Sequence, residues 1–182
     1  MKDLDVNLFK TDFEAIKSNL LEICQFYKGL PYITIEDKKN LEYVDFVTKS
    51  KVVIVDIPAF DCFQFVWFVL KKLVEAKIIS SQIQKYEPTF DMIKKLKIAQ
   101  ARGCFQDFKT FSDLKTCGVM FYAKTAQGWE NMHERHIGFY FVQEDQISFV
   151  SNHKHEHGVV KENFSHQEFV VIFANFPDCI VT

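Results

Sequence analysis

Glycine and proline are scarce, 6 and 4 in a chain of 182 residues. Disordered and low-complexity chains are rich in such residues, so their scarcity beside 20 phenylalanines argues for a large aromatic core. Cysteine occurs five times, an odd number at irregular spacing and without a C-x-x-C pair. That pattern does not describe a disulfide framework: at least one thiol is free, and most are read as small buried hydrophobes. A surplus of one charge is also missing. The 22 Lys and Arg face 24 Asp and Glu, and the basic residues are scattered, so no nucleic-acid partner is expected. No apolar run approaches the ~20 residues that span a bilayer. The longest, Phe60 to Leu70, is broken by Asp61 and Gln64. The first residues carry no signal-peptide pattern, so synthesis in the cytosol is expected, with export only through a dedicated secretion machine.

What is present has the balance of a globular chain, with 48% hydrophobic and 25% charged residues. The length suits one domain over 1–182. Phe13, Ile16, Leu20, Ile23 and Tyr27 form a helical stripe over Asp12 to Tyr27, ended by Gly29 and Pro31. Ile33 to Lys51 reads as a polar surface excursion, and "KVVIVDI" (Lys51 to Ile57) as a strand. A helix begins at Asp61, with Phe65, Val66, Val69, Leu70, Leu73 and Val74 as its buried stripe. Another is expected over Phe90 to Ala101, with the lysines of Met92 to Arg102 on a solvated face. After Gly103 the period falls to two: "GVMFYAK", "HIGFYFVQ", "QISFVSN" and "EFVVIFAN" are aromatic and β-branched runs between polar turns. Helices first and antiparallel strands after predict an α+β domain.

Three places could do chemistry. Cys62 opens the Phe65–Val74 helix, where N–H groups and the helix dipole favour a thiolate; the alternative is a buried structural cysteine beside Phe60 and Phe63. His136 opens a strand on which it shares a face with Gly138 and Tyr140, and the glycine leaves room for a close approach. If Glu144 and Asp145 form the turn, His136 lies nearly opposite His153, and Gly138 opposite Ser151. Either could orient an imidazole, whereas Asn152 points to the other face unless a bulge intervenes. The alternating His153, His155 and His157, with His133 and His136 nearby, invite a metal reading. No carboxylate or cysteine completes a recognised spacing, so neither metal nor cofactor is expected.

Taken in order, these pieces resemble the NlpC-type papain-like cell-wall peptidases and amidases, over about Gly29 to Val160. "GLPY" looks like the family's G-x-P-Y segment, and "FDCFQFVWFVLKKL" like its D-C-S-x-F-V nucleophile helix. "IAQARGCFQDFKTFSDLKTCGVMFYA" resembles the stretch with a Q, a G and L-x-x-G-D before a strand. "HIGFYF" looks like the H-V-G-I-Y strand, and "ISFVSN" falls where the third polar residue is found. The resemblance implies a papain-like fold, the nucleophile helix packed on an antiparallel sheet. It also implies a Cys–His hydrolase that cuts an amide in a peptidoglycan stem peptide through a thioester. Carried over by position, Cys62 is the nucleophile and His136 the base. Tyr32 lines the site unless it is an ordinary core tyrosine, and Asp61 receives a substrate amine unless it only caps the helix. The backbone N–H of Cys62 contributes to the oxyanion hole.

The chain also departs from the pattern. Phe63 stands where the family has Ser, Val119 replaces the Asp of L-x-x-G-D, and Ser151 aligns with the usual third His. The third role therefore stays open among Ser151, Asn152 and His153. Expected partners are a peptidoglycan fragment or other amide substrate, and an immunity or inhibitor protein if the chain is an injected effector. A deamidase, acyltransferase or thioesterase acting on protein or lipid is the rival enzyme, since Phe63 and its aromatic surroundings suit an apolar acyl group. A catalytically silent binding module is the non-enzymatic alternative.

Overall fold

The structure, a computed structural model, describes residues 13–37, 39–57, 59–79, 106–107, 117–123, 135–143, 146–154, 156–164 and 170–175. The architecture is mixed α+β, with two helices and antiparallel sheets among the described residues. Helix α1 runs over Phe13–Phe26 and α2 over Cys62–Glu75. Both follow their apolar stripes: Ile16, Leu20 and Ile23 of α1 and Phe65, Val69 and Leu73 of α2 are buried in one cluster. Each such side chain contributes roughly 1.5–3 kcal/mol on leaving water. The helix expected over Phe90 to Ala101 lies outside the described residues.

The large sheet has the order β3-β8-β4-β5-β6-β7, antiparallel throughout. Its strands are β3 (Gln106–Asp107), β4 (Cys117–Ala123), β5 (Arg135–Gln143), β6 (Gln146–His153), β7 (Gly158–Phe164) and β8 (Val170–Asn175). Four of them match the aromatic runs. Strand β7, "GVVKENF", does not, because its Lys161, Glu162 and Asn163 hide the β pattern. Gln143 pairs with Gln146, the register expected if Glu144 and Asp145 make the turn.

Helix α2 packs on β5 and β6, with Phe65 edge-on to Phe139. Strand alternation therefore puts Ile137, Phe139, Phe141 and Val150 on the helix side. The opposite face is also buried, at Met120, Tyr140 and Phe149. Gly138 lies on that second face. A Cβ built there would meet the Phe149 Cζ and the Val150 carbonyl oxygen at 2.5 Å, and the Ser151 Cβ at 2.7 Å. The room left by this glycine is thus filled by the neighbouring strand. Gly138→Ala is expected to destabilise by about 1–3 kcal/mol through overpacking, read as a lower denaturant midpoint at unchanged slope.

The stretch Ile33 to Lys51 is not wholly irregular, as its sequence suggested. It contains β1 (Leu41–Val44), which pairs antiparallel with β2 (Lys51–Ile54). Leu41 is fully buried, and the hairpin leans on α2 through Asp45. The Asp45 carboxylate lies 2.5 Å from Lys72 Nζ, and its Oδ1 accepts the N–H groups of Val47 and Thr48 at 2.9 and 2.8 Å. Lys72 also reaches Glu75 at 2.6 Å. The helix thus buries a lysine that periodicity alone would leave in water.

Candidate functional site

The N-terminus of α2 is built by Asp61. Its backbone is extended (φ −91°, ψ −170°), and its Oδ1 accepts the N–H groups of Phe63 and Gln64 at 2.8 and 3.0 Å. The Gln64 amide folds back onto the same carboxylate. The capping role weighed for Asp61 is therefore the one its contacts fill, worth about 1 kcal/mol. Burial raises this carboxyl above its ordinary range, and the backbone donors offset part of that rise.

Cys62 is the first residue of α2 and is partly exposed. Its sulfur is hydrogen-bonded by the backbone N–H of Ile137, the residue after His136 on β5. The helix-end N–H groups of Cys62 and Phe63 do favour the thiolate, as the sequence suggests. Burial first, and the charge of Asp61 second, outweigh them and push the thiol up to about 12. The expectation of a thiolate at rest is thereby corrected: the helix end is right, but the sulfur is too enclosed to ionise by itself.

Tyr32 reaches the same place through a backbone clamp. Gly29 takes a positive φ of 88° after α1, and the chain then runs along the start of β7. There the Val159 N–H donates to the Leu30 carbonyl at 3.0 Å, and the Tyr32 N–H to the His157 carbonyl at 3.2 Å. Ile33 and Phe60 exchange both backbone hydrogen bonds, at 3.2 and 2.8 Å, so Tyr32 is held beside Phe60 and Asp61. Burial raises its phenol, and the nearby Cys62 and Asp61 charges raise it further. Tyr32 therefore stands close enough to Cys62 and Asp61 for their charges to act on its phenol.

The imidazoles form a second group. His136 and His153 stack with ring centroids 3.9 Å apart and planes tilted by 34°. His153 Nε2 lies 3.1 Å from Glu162 Oε1 on β7, a short approach without the alignment of a directed hydrogen bond. The backbone of β5 joins the two groups, His136 in the stack and Ile137 on the sulfur. Their side chains point to opposite faces of the strand.

The remaining candidates stand elsewhere. Ser151 is fully buried across from Gly138, and its hydroxyl has no hydrogen-bond partner among the described residues. Asn152 faces α2, as alternation predicts. Its Nδ2 donates to the carbonyls of Phe60 at 2.7 Å and Pro31 at 3.2 Å, tying the Tyr32 segment to the residue two before Cys62. Sequence reasoning missed Glu162. Its only signal was a shared face with Gly158 and Val160 on a strand too polar to notice. His133 and His155 lie outside the described residues, among which no three His, Cys, Asp or Glu side chains group as a metal site. No helix among the described residues is long and apolar enough to cross a membrane. Comparison of the chain with protein-family models, with curated proteins and with solved structures finds no match.

Proposed function

We propose that the chain is a cysteine hydrolase of papain-like, NlpC-type fold that cleaves an amide bond, with peptidoglycan stem peptides as the leading substrate class. One observation carries this reading: the thiol at the start of α2 rests on the β5 backbone one residue past His136, whose ring is itself held against His153. In the mechanism, Cys62 is the nucleophile and His136 the general base. Because the resting sulfur carries its proton, that proton has to reach His136 around the end of β5, from the Ile137 side to the opposite face, as sulfur attacks the carbonyl. The Cys62 N–H, at the positive end of α2, supports the oxyanion. Collapse breaks the C–N bond, and the amine leaves with the proton from His136. Water, deprotonated by the same imidazole, then attacks the thioester, releasing the acid and restoring the thiol.

A second reading is favoured by the state of Asp61. Its carboxylate is engaged by backbone donors and Gln64, so it is poorly placed to receive a substrate amine. Partly exposed Phe63 follows the nucleophile. Those two features suit an apolar acyl group, hence an acyltransferase or thioesterase. Incubation with muropeptides, acyl donors and protein substrates, followed by mass spectrometry, separates a cut stem peptide from a transferred acyl chain or a one-dalton deamidation. A chain that changes none of them would be a silent binding module. If the hydrolase serves as an injected effector, an inhibitor protein is its natural partner.

The ionisation of Cys62 gives a direct check. With the thiol held up at about 12, iodoacetamide labelling at this residue should rise about tenfold per pH unit from pH 7 to 10, without a plateau. Rates followed by peptide mapping would show it. A plateau near pH 6 would mean a preformed thiolate–imidazolium pair instead.

A further inference from the structure

We infer that Glu162 is a positioning residue for this site, acting on His136 through His153. The inference rests on the hydrolase reading and deepens it by naming the residue that completes the chain behind the base. Of the candidates for that role, Ser151 lies across from Gly138, and the Asn152 amide is engaged on the helix side with Pro31 and Phe60. The His153 ring stacks on the His136 ring.

A stacked ring restrains its neighbour only if it is restrained itself. The carboxylate of Glu162 comes within 3.1 Å of Nε2, close enough for an ion pair although not aligned as a hydrogen bond, with the His153 side chain 12% exposed and that of Glu162 41% exposed. Rigid backbone frames all three side chains, because β5, β6 and β7 are paired in sequence across the sheet. Asn152 pins the end of β6 from the other side, and His153 pairs with Gly158, whose neighbour Val159 is hydrogen-bonded to the Leu30 carbonyl. Glu162, His153 and His136 thus form a row on one face that ends one residue from the sulfur contact. A general base that is held in place contributes more than one that samples several rotamers.

The test uses the full chain and reads the His136 ring cross-peak by 1H–13C NMR. Glu162→Ala is expected to shift or broaden that peak, and Glu162→Gln, which keeps the reach of the side chain, to recover at least half of the change. In a His153→Phe background the same Glu162→Ala change should move nothing further, since the coupling runs through the histidine. An unmoved peak in Glu162→Ala, or an equal movement in the His153→Phe background, would overturn the inference. Acylation of Cys62 by p-nitrophenyl acetate should fall about tenfold in Glu162→Ala at an unchanged melting temperature; an unchanged rate would overturn the catalytic part of the role. Should Cys62→Ala react with this ester as fast as the native chain, the hydrolase reading fails, while the ring measurement still decides the coupling.

Discussion

Replacing Cys62 with alanine should abolish turnover, by at least about a thousandfold, and leave the protein folded. The chemical half follows from the proposed mechanism: in it, without sulfur no thioester forms, and the proposed oxyanion donor and histidine pair would keep only the residual catalysis seen when a nucleophile is removed. The structural half follows from the position. Cys62 is partly exposed at the first turn of α2, alanine is a good helix former, and the Asp61 cap bonds to Phe63 and Gln64 rather than to the cysteine side chain. Turnover by mass spectrometry beside thermal unfolding checks both halves. Retained turnover in a folded Cys62→Ala protein would place the nucleophile elsewhere and remove the basis of the assignment.

The largest stability effect is expected at Asp45→Ala, a loss of about 3 kcal/mol and a melting temperature roughly 6–12 °C lower. The side chain of Asp45 is 5% exposed and that of Lys72 10%, so among the described residues the change leaves a nearly buried ammonium with the half-exposed Glu75 as its remaining counter-charge. It also removes the acceptor for the Val47 and Thr48 N–H groups in the turn that joins β1 to β2. Acid should reproduce part of this loss. Burial raises the Asp45 carboxyl, but hydrogen bonds from Lys72 and Thr48 outweigh it and hold it at about 2. A carboxyl lowered on folding stabilises above its unfolded value and loses that contribution as pH falls through the folded one. Stability of the native chain should therefore drop by about 2 kcal/mol between pH 4 and 2, and the Asp45→Ala protein should lack that component. Denaturant midpoints across that window would show the difference; parallel curves for the two proteins would refute it.

The elements that could be read from residues alone are those whose pattern is local. The α2 stripe, the Asp61 cap and the period-two runs of β4, β5, β6 and β8 all follow from neighbours within a turn or a hairpin. The facing of His136 and His153 follows too, because the pairing of Gln143 with Gln146 sets the register. What escaped depends on distant partners. Strand β1 lies in a charged stretch and is recognisable only once Leu41 is seen to be buried. Lys72 is an ordinary surface residue until Asp45 arrives from another element. It then stays buried, with its Nζ 5.7 Å from the centre of the Phe68 ring. At the site, the place of Cys62 was legible but its ionisation was not, since the enclosure that raises it comes from the packed surroundings. Glu162 was invisible for a related reason: a side chain's reach to the neighbouring strand leaves no trace in spacing.

The exchange of hydrogen bonds between Ile33 and Phe60 has an architectural consequence. It seals off everything between them as a closed loop whose ends are already fixed, so the distance from Tyr32 to Cys62 does not depend on how long that loop is. Length changes in the exposed parts of that segment, away from the buried Leu41 and the Asp45–Lys72 pair, therefore leave the spacing of Tyr32 and Cys62 unaltered.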